Sequence, residues 1–301
     1  MITQHANKNQ IFYSCQDLFS MQIEKPAHLI QDIVPFGVTV LAGRPKAGKS
    51  HLAFYWAASI ASGNLVLTNY DVHPSEVFYL SLEDNLFSLQ EKVLKYVTIP
   101  AIPLYLTNEW NFGNDNVSQL RKWCATHPDC KLIVIDTMQK IRPLGRRSNN
   151  WYEDDYLFVS QFKSLYQDTG VSTLLVHNTT KAKSDNSLDD VSGTSTITGA
   201  ADTVITMSKK MNGNRVIEIV GRWAPEQKII TRWNSNKQWI LAEEQMSPDR
   251  KLIIEILSDG TLHYKEIGEK MGKNPNTIYK LLVRMASDDQ IQKLEDGHFS
   301  L

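Results

Sequence analysis

The sequence has few cysteines and no long hydrophobic run, and these absences exclude several classes of protein. Its three cysteines, Cys15, Cys124 and Cys130, are scattered and odd in number, which argues against a disulfide framework and for a reducing compartment. Their spacing does not match that of a structural zinc site. No apolar run approaches the roughly 20 residues that cross a bilayer, and the first residues lack the apolar core of a signal peptide. We therefore expect a cytoplasmic protein that does not insert into a membrane.

The sequence also lacks an excess of either charge. Lysine and arginine total 32 in the 301 residues, and aspartate and glutamate total 33. No global positive field therefore favours nucleic acid, and any binding of nucleic acid would depend on local patches. The length is sufficient for one large core and a smaller second domain.

Short β-branched runs alternate with helical patterns over residues 28–242, which predicts an α/β domain. Near-continuous apolar runs such as 132–135 suit strands that are buried on both faces. Strands that alternate with helices predict a mostly parallel sheet with helices on both sides. After residue 207 the pattern changes to that of antiparallel ribbons.

Smaller segments flank this α/β domain on both sides. Residues 1–27 form an N-terminal extension with weak periodicity. Four apolar side chains in and near it are expected to pack on the α/β domain as a lid: Phe12, Leu18, Met21 and Ile30. Residues 249–301 are patterned as three helices and a ribbon that turns at Asp296-Gly297, which is the outline of a winged helix-turn-helix domain.

The most specific pattern is a phosphate-binding loop that precedes a helical segment beginning near His51. The loop sequence is Gly43-Arg44-Pro45-Lys46-Ala47-Gly48-Lys49-Ser50, which matches G-x-x-x-x-G-K-[ST]. A strand, a glycine-rich turn and a helix N-terminus direct backbone N–H groups at one point, where a polyphosphate binds. We expect residues 43–51 to hold a nucleoside triphosphate, with Lys49 at its β- and γ-phosphates and the Ser50 hydroxyl on Mg²⁺.

Two carboxylates follow apolar runs elsewhere in the α/β domain. Asp136 closes the run 132–135 and is expected to hold the metal ion directly or through water. Glu83 follows the run 77–82, where a carboxylate can orient and polarise an attacking water molecule. The alternatives are a helix cap for Asp136 and a solvated acid at a helix N-terminus for Glu83.

A polar pair, His177-Asn178, ends a later apolar run. A side chain at that place can contact the γ-phosphate and report its loss to the loop that follows. His177 can titrate near neutral pH, whereas Asn178 can donate a hydrogen bond but cannot titrate. Which of the two senses the phosphate is left open by the sequence.

As a set, these motifs resemble those of the RecA-type ATPases, and specifically the RepA-like branch of plasmid and phage replicative helicases. The most diagnostic piece is residues 192–202, which resembles the segment G-S-x-x-I-x-G-A-A-D of that branch with Thr194 in place of the serine. The branch has two consecutive histidines where this chain has His177-Asn178. The resemblance covers about residues 28–240.

The resemblance implies a RecA-like P-loop NTPase core that assembles as a ring, usually of six subunits, with ATP between neighbours. Lys49, Ser50, Glu83 and Asp136 would act from one subunit. Arg222, in a segment that resembles the one carrying the arginine finger, would reach into the neighbouring site and stabilise charge on the transferring phosphoryl group. A surface cation is the alternative for Arg222, and Lys228 is a second candidate for the finger.

Two polar loops are candidates for binding nucleic acid. In RecA-like rings the corresponding loops line the central channel, which implies that basic side chains here track the phosphates of single-stranded DNA. These side chains are Arg146, Arg147, Lys181 and Lys183. The alternative is that both loops are solvated connections. Residues 249–301 contain eight basic and nine acidic residues, so the sequence leaves open whether that domain docks on DNA or on protein.

The sequence therefore predicts an ATP-dependent DNA helicase or translocase that acts in the replication of a plasmid, phage or other mobile element. Its expected cofactors are ATP and Mg²⁺. Its expected partners are single-stranded DNA, further copies of itself, and a replication initiator or primase. Two alternatives stay open: an ATP-switched DNA-binding regulator or loader with little unwinding, and a RecA-like recombination ATPase.

Overall fold

The computed structural model describes residues 12–22, 27–110, 116–141, 151–179, 199–210, 213–234, 238–242, 246–288 and 290–301. A short antiparallel ribbon of β1 (His28–Ile30) and β2 (Val34–Pro35) precedes a large sheet. The strands of that sheet are β3 (Val38–Gly43), β4 (Glu76–Ser81), β5 (Leu104–Thr107), β6 (Cys130–Asp136), β7 (Ser172–Asn178), β8 (Thr203–Lys209), β9 (Arg215–Gly221), β10 (Gln227–Trp233) and β11 (Trp239–Leu241).

The nine strands form one sheet with two regions of different strand direction. Their order is β5-β4-β6-β7-β3-β8-β9-β10-β11. The strands from β5 to β8 are parallel, and β9, β10 and β11 extend the sheet as antiparallel neighbours. The mostly parallel sheet and the change of pattern after residue 207 are thus both present. The strand β7 lies between β3 and β6, an order that the local sequence pattern does not reveal.

Helices cover both faces of the parallel region, as the alternating pattern predicts. The helices of this part of the chain are α1 (Cys15–Ser20), α2 (Lys49–Ser62), α3 (Leu86–Tyr96), α4 (Asn116–Thr126) and α5 (Trp151–Thr169). On one face Leu52 of α2 and Leu89 of α3 pack in a core with Leu41 of β3. On the other face Leu120 of α4 and Phe162 of α5 pack with Val40. Adjacent residues of β3 are therefore buried on opposite faces, which explains the unbroken apolar run.

The N-terminal segment does not form the predicted lid. No side chain of α1 is buried, and Phe12 and Leu18 are 85% and 49% exposed. The helix is stabilised locally instead, by a capping box between Ser14 and Asp17. The predicted packing is therefore wrong for Phe12 and Leu18, whereas Ile30 is fully buried in the α/β core.

The last part of the chain forms three helices and a small antiparallel sheet with its own core. The elements are α6 (Pro248–Ser258), β12 (Leu262–His263), α7 (Tyr264–Lys270), α8 (Pro275–Ser287), β13 (Gln292–Lys293) and β14 (His298–Ser300). The sheet order is β12-β14-β13, and Phe299 of β14 is buried in one core with Ile253, Ile267 and Leu282 of the helices. The identification of this unit as a winged helix-turn-helix domain stays a prediction.

A buried ion pair within this C-terminal unit is hydrogen-bonded to the α/β domain. Arg250 donates a hydrogen bond of 2.6 Å from Nη1 to Asp288 Oδ2 and one of 3.0 Å from Nη2 to Thr68 Oγ1. Thr68 belongs to the α/β domain and also donates to Asp288. The side chains of Arg250 and Asp288 are 1% and 2% exposed, so the contact is closed to water.

In the described part of the chain, no helix has both the length and the apolar character that a membrane crossing requires.

Candidate active site

The predicted site residues follow strands that end together at one edge of the sheet. Gly43 at the end of β3 pairs with Asn178 of β7, and Val176 of β7 pairs with Asp136 of β6. Asp136 in turn pairs with Ser81, the last residue of β4. We call this edge the carboxyl edge, because the parallel strands end there. The phosphate-binding loop, Asp136, Glu83 and the His177-Asn178 pair are therefore neighbours in space, although they are far apart in sequence.

The phosphate-binding loop has a backbone that depends on its glycines. Gly48 has a φ of 109°, and α2 begins at the next residue, so the free N–H groups of its first turn lie at the loop. Gly43 leaves no room for a side chain, since an added Cβ would collide with the carbonyl oxygen of Met207. A helix N-terminus of this kind attracts an anion.

Lys49 lies across the mouth of this loop. Its Nζ donates hydrogen bonds to the carbonyl oxygens of Gly43, at 2.8 Å, and of Arg44, at 2.9 Å. Burial lowers the pKa of Lys49 to about 8, and the charges of Asp136 and Glu83 oppose that effect. A phosphate at the loop would offer this ammonium group charged acceptors in place of neutral carbonyl oxygens, and charge-assisted hydrogen bonds are the stronger kind.

Asp136 is buried and is held by Ser50, Tyr79 and Lys92. Ser50 Oγ donates to Asp136 Oδ1 at 3.0 Å, and the Tyr79 hydroxyl donates to Oδ2 at 2.7 Å. Lys92 Nζ lies 3.8 Å from the same Oδ2. Burial raises the pKa of Asp136, and the charge of Lys92 and the hydrogen bonds from Tyr79 and Ser50 oppose this. The sequence did not single out Tyr79 or Lys92, because neither belongs to a recognisable motif.

Ser50 and Asp136 fit the predicted Mg²⁺. They offer a hydroxyl and a carboxylate oxygen side by side, and Mg²⁺ is commonly bound by one or two carboxylates with water and substrate phosphates completing its shell. Among the described residues, no group of three or more His, Cys, Asp and Glu side chains could hold a metal ion. A metal here would therefore depend on oxygen atoms from water and the nucleotide.

Glu83 is the exposed carboxylate of the site. It accepts a hydrogen bond of 3.1 Å from Thr137 Oγ1, which directly follows Asp136. The neighbouring Asp84 is engaged differently, since both Ser81 and Lys92 donate to it. Glu83 is therefore exposed to solvent, and its charge acts on Lys49 of the phosphate-binding loop.

His177 and Asn178 are linked by a residue that the sequence reading missed. Gln139 Nε2 donates to His177 Nδ1 at 2.9 Å and lies 3.3 Å from the carbonyl oxygen of Asn178. Gln139 belongs to a 3-10 helix, Met138–Lys140, that begins just after β6. His177 is 5% exposed and Asn178 is half-buried. A hydrogen-bonded chain thus connects the end of β7 with the segment after Asp136. The only signal in the sequence was that Gln139 lies three residues after Asp136, the carboxylate predicted to bind the metal.

The side chain of His51 packs between α2, α3 and β10. Its Nδ1 lies 3.2 Å from the Tyr96 hydroxyl, and its ring lies edge-on to Trp233. Burial and then the charges of Lys95 and Lys92 lower the pKa of His51 to about 4, so it is neutral at pH 7. Its contribution to a nucleotide site would come from its backbone position at the start of α2.

Arg222 lies at the opposite edge of the sheet from the phosphate-binding loop. It follows β9, whose last residue pairs with Thr203 at the beginning of β8, and its backbone N–H donates to Asp202 O. Its side chain is 62% exposed and 3.9 Å from Asp202 Oδ1. It lines a cavity of about 810 Å³ together with Trp223, His28 and His73, among others. The structure therefore does not bring Arg222 to the phosphate-binding loop of its own chain.

The four basic side chains predicted to track DNA are outside the described residues: Arg146, Arg147, Lys181 and Lys183. The same holds for residues 192–198 of the diagnostic segment. Their roles stay predictions.

Comparison with known proteins identifies the fold of the α/β domain. No curated protein matches this sequence. Among solved structures the chain is similar to one described as an ATPase domain, with a TM-score of 0.54 and 12% identity over 69% of this chain and 85% of that one. It is also similar to a structure described as a DnaB-like replicative helicase and its interactions with primase, with a TM-score of 0.51 and 13% identity over 69% of this chain and 57% of that one. At these identities the similarity establishes the fold alone.

The predicted RecA-like core is confirmed by these neighbours, whereas the RepA-like branch and the winged helix stay predictions. The AAA domain model AAA_25 matches residues 13–184, which is more than half of the chain. The matched span includes the phosphate-binding loop, Glu83, Asp136 and His177 and ends before Arg222. The chain therefore belongs to the AAA domain family.

Proposed function

We propose that this protein is an ATP-driven motor that moves along single-stranded DNA during the replication of a plasmid, phage or other mobile element. The main support for the proposal is that four groups of residues suited to ATP hydrolysis lie together at the carboxyl edge. These are the phosphate-binding loop, the Ser50–Asp136 pair, the exposed Glu83 carboxylate and the Gln139–His177 link. Membership of the AAA domain family and the fold shared with helicase ATPase domains support it.

Each of these groups has a distinct task in hydrolysis. Lys49 and the amide groups at the start of α2 bind the β- and γ-phosphates, and Ser50 and Asp136 hold Mg²⁺. When bound, the metal neutralises charge on the phosphate oxygens. Glu83 orients the attacking water. His177 and Asn178, connected by Gln139 to the segment after Asp136, sense the γ-phosphate and transmit its loss to the chain beyond residue 179.

Arg222 would complete the site of a neighbouring copy. Because it lies at the edge opposite its own loop, contact with a phosphate requires a head-to-tail arrangement of subunits, and such contacts close into a ring when the rotation permits. The expected ring has six members. One of the similar structures contains interactions with primase, so a primase, or a replication initiator, is a candidate partner.

Measurement of ATP hydrolysis with and without single-stranded DNA tests the motor. We expect turnover that rises when DNA is added, and displacement of a labelled strand from a forked duplex. Lys49→Ala should abolish turnover while its circular dichroism spectrum matches that of the wild type. Absence of hydrolysis in the wild type under both conditions would remove the proposal.

A second candidate is an ATP-switched DNA-binding regulator or loader, which the C-terminal unit favours. Within that unit, the buried Arg250–Asp288 pair is hydrogen-bonded to Thr68 of the α/β domain, which suits a module carried in a fixed orientation. This candidate predicts ATP-dependent DNA binding with slow hydrolysis and no strand displacement. A third, a RecA-like recombination ATPase, predicts open filaments that electron microscopy would distinguish from a ring.

A further inference from the structure

The strand β8 and the antiparallel extension of the sheet support the phosphate-binding loop from one side. The carbonyl oxygen of Met207, in β8, occupies the place of a side chain at Gly43. An added Cβ at Gly48 would lie 3.3 Å from Met207 Cε and 3.5 Å from the Trp239 ring of β11. The loop is therefore packed against strands that follow it by more than 150 residues.

One polar side chain of this extension contacts the loop directly. Arg215, the first residue of β9, donates a hydrogen bond of 2.8 Å from Nε to the carbonyl oxygen of Ala47. Its Nη1 donates to the carbonyl oxygen of Gly213, at the turn that joins β8 to β9. The planar guanidinium thus links the loop to the end of the β8–β9 hairpin. No sequence motif singles out Arg215.

The position of the contact matters because Ala47 lies between two residues with a positive φ. Lys46 has a φ of 64° and Gly48 a φ of 109°. The carbonyl of Ala47 and the N–H of Gly48 belong to the same planar peptide unit, and within its plane they point in opposite directions. A hydrogen bond that fixes the carbonyl therefore also fixes the direction of the Gly48 N–H, one of the donors that the loop can offer to a phosphate.

We infer that Arg215 is a positioning residue for the phosphate-binding loop, which holds the Ala47–Gly48 peptide in the orientation that binds phosphates. The inference rests on the proposed function, since it assigns Arg215 to the same nucleotide site. The role requires arginine, because a lysine has a single ammonium group and lacks the rigid fork that reaches two carbonyl oxygens.

Nucleotide binding by Arg215→Ala and Arg215→Lys tests this role. A lost hydrogen bond from a charged group corresponds to about a tenfold weaker affinity, so we expect about that loss for both ATP and ADP in Arg215→Ala. Arg215→Lys should lie between this variant and the wild type. At saturating ATP, kcat should stay within about twofold of the wild type, since Arg215 sets the shape of the loop and does not touch the water or the γ-phosphate.

Lys209→Ala is the matched control. Lys209 pairs directly with Arg215 across the hairpin and is exposed, so its removal changes the local charge by the same amount without touching the loop. Its nucleotide affinity should match that of the wild type. An equal loss of affinity in Lys209→Ala and Arg215→Ala would make the effect one of charge and overturn the role, and so would wild-type affinity in Arg215→Ala.

Amide hydrogen exchange of the nucleotide-free protein provides a readout independent of function. Exchange at residues 44–49 should be faster in Arg215→Ala and unchanged in Lys209→Ala, with the rest of the chain protected as in the wild type. Unchanged exchange in this segment would contradict the inference. Should the wild type fail to bind ATP, the proposed function is lost, whereas the exchange experiment still decides whether Arg215 orders the loop.

Discussion

The Asp136 carboxylate is buried, and neighbouring side chains stabilise its charged form. Burial alone would favour its neutral form, which is a poor metal ligand, and the hydrogen bonds from Ser50 and Tyr79 and the charge of Lys92 counteract this. The fully buried Tyr79 hydroxyl also approaches the carbonyl oxygen of Ser50, at 3.3 Å. Tyr79 is thus a side chain that contacts both Ser50 and Asp136, the two residues proposed to bind the metal, without belonging to any motif.

Tyr79→Phe should weaken both stability and the response to Mg²⁺. Loss of the hydroxyl removes one hydrogen bond to a charged group, which is worth about 1.5–3 kcal/mol. We expect the free energy of unfolding in urea to fall by that amount and the Mg²⁺ concentration for half-maximal ATPase activity to rise severalfold. Tyr55→Phe is the control, because its hydroxyl accepts from the Leu67 N–H, away from Asp136. An unchanged Mg²⁺ requirement in Tyr79→Phe would contradict a role of these contacts in binding the metal.

The half-buried imidazole of His51 should make the stability of the nucleotide-free protein depend on pH. Its pKa is about 4 in the folded chain, against an ordinary 6.5, so the unfolded chain binds a proton more readily. Stability should therefore fall as the pH drops from about 6.5 towards 4. In His51→Asn the change in urea midpoint between pH 7 and pH 5 should be smaller than in the wild type. The same change in both proteins would contradict the depressed pKa.

At the scale of elements, α8 of the C-terminal unit contacts the α/β domain at one end, whereas other parts of the helix are exposed. The end of α8 is held by the α/β domain, since Arg232 donates to the carbonyl oxygen of Asp288 and Asn234 to that of Ser287. Elsewhere on α8, Lys280 and Arg284 are exposed to solvent. The helix is therefore anchored at its last turn, and its outer face is available to a partner.

Arg250→Ala should strongly destabilise the protein. It leaves the Asp288 carboxylate buried without its main partner, and breaking a buried pair costs about 3–5 kcal/mol. The free energy of unfolding should fall by about that amount in urea. Lys273→Ala is the contrast, because its ion pair with Asp249 is exposed and such pairs contribute about 0–1 kcal/mol. Equal effects of the two substitutions would show that the Arg250–Asp288 pair is not closed to water.

At the scale of the whole molecule, the two predicted halves of an ATP site lie at opposite edges of one sheet. Lys49, Ser50, Glu83 and Asp136 are at the carboxyl edge, whereas Arg222 is near the first residue of β3 through its link with Asp202. A single chain does not bring them together, so the proposed site with Arg222 as its finger would require at least two copies.

Mixed assemblies test the shared site. Arg222→Ala should lose turnover but bind ATP with wild-type affinity, because its side chain is remote from its own loop. Glu83→Gln should also bind ATP without turnover. Mixing the two variants should restore part of the activity, since some interfaces would combine an intact Glu83 with an intact Arg222. Inactivity at every mixing ratio would count against a finger supplied by the neighbour.

Local sequence patterns were sufficient to predict much of the fold and part of the candidate site. The strands β4 and β6 and the helix α2 lie within a few residues of the runs predicted for them, because an apolar run buried on both faces and a helical period are local properties. The phosphate-binding loop, Glu83 and Asp136 were readable for the same reason, since each follows a strand directly. Tyr79, Lys92, Gln139 and Arg215 were not readable, because their partners are distant in sequence and no local pattern records which strands are adjacent.

The sequence by itself determined the nucleotide-binding motif, the strand-ending carboxylates and the change from a parallel to an antiparallel pattern, because short-range sterics and hydrophobic periodicity encode them. Only the tertiary structure decided that β7 separates β3 from β6, that Arg215 contacts the loop and that Arg222 lies at the far edge. These depend on hydrogen bonds and packing between segments that are distant in sequence, and local rules do not choose among the possible strand pairings.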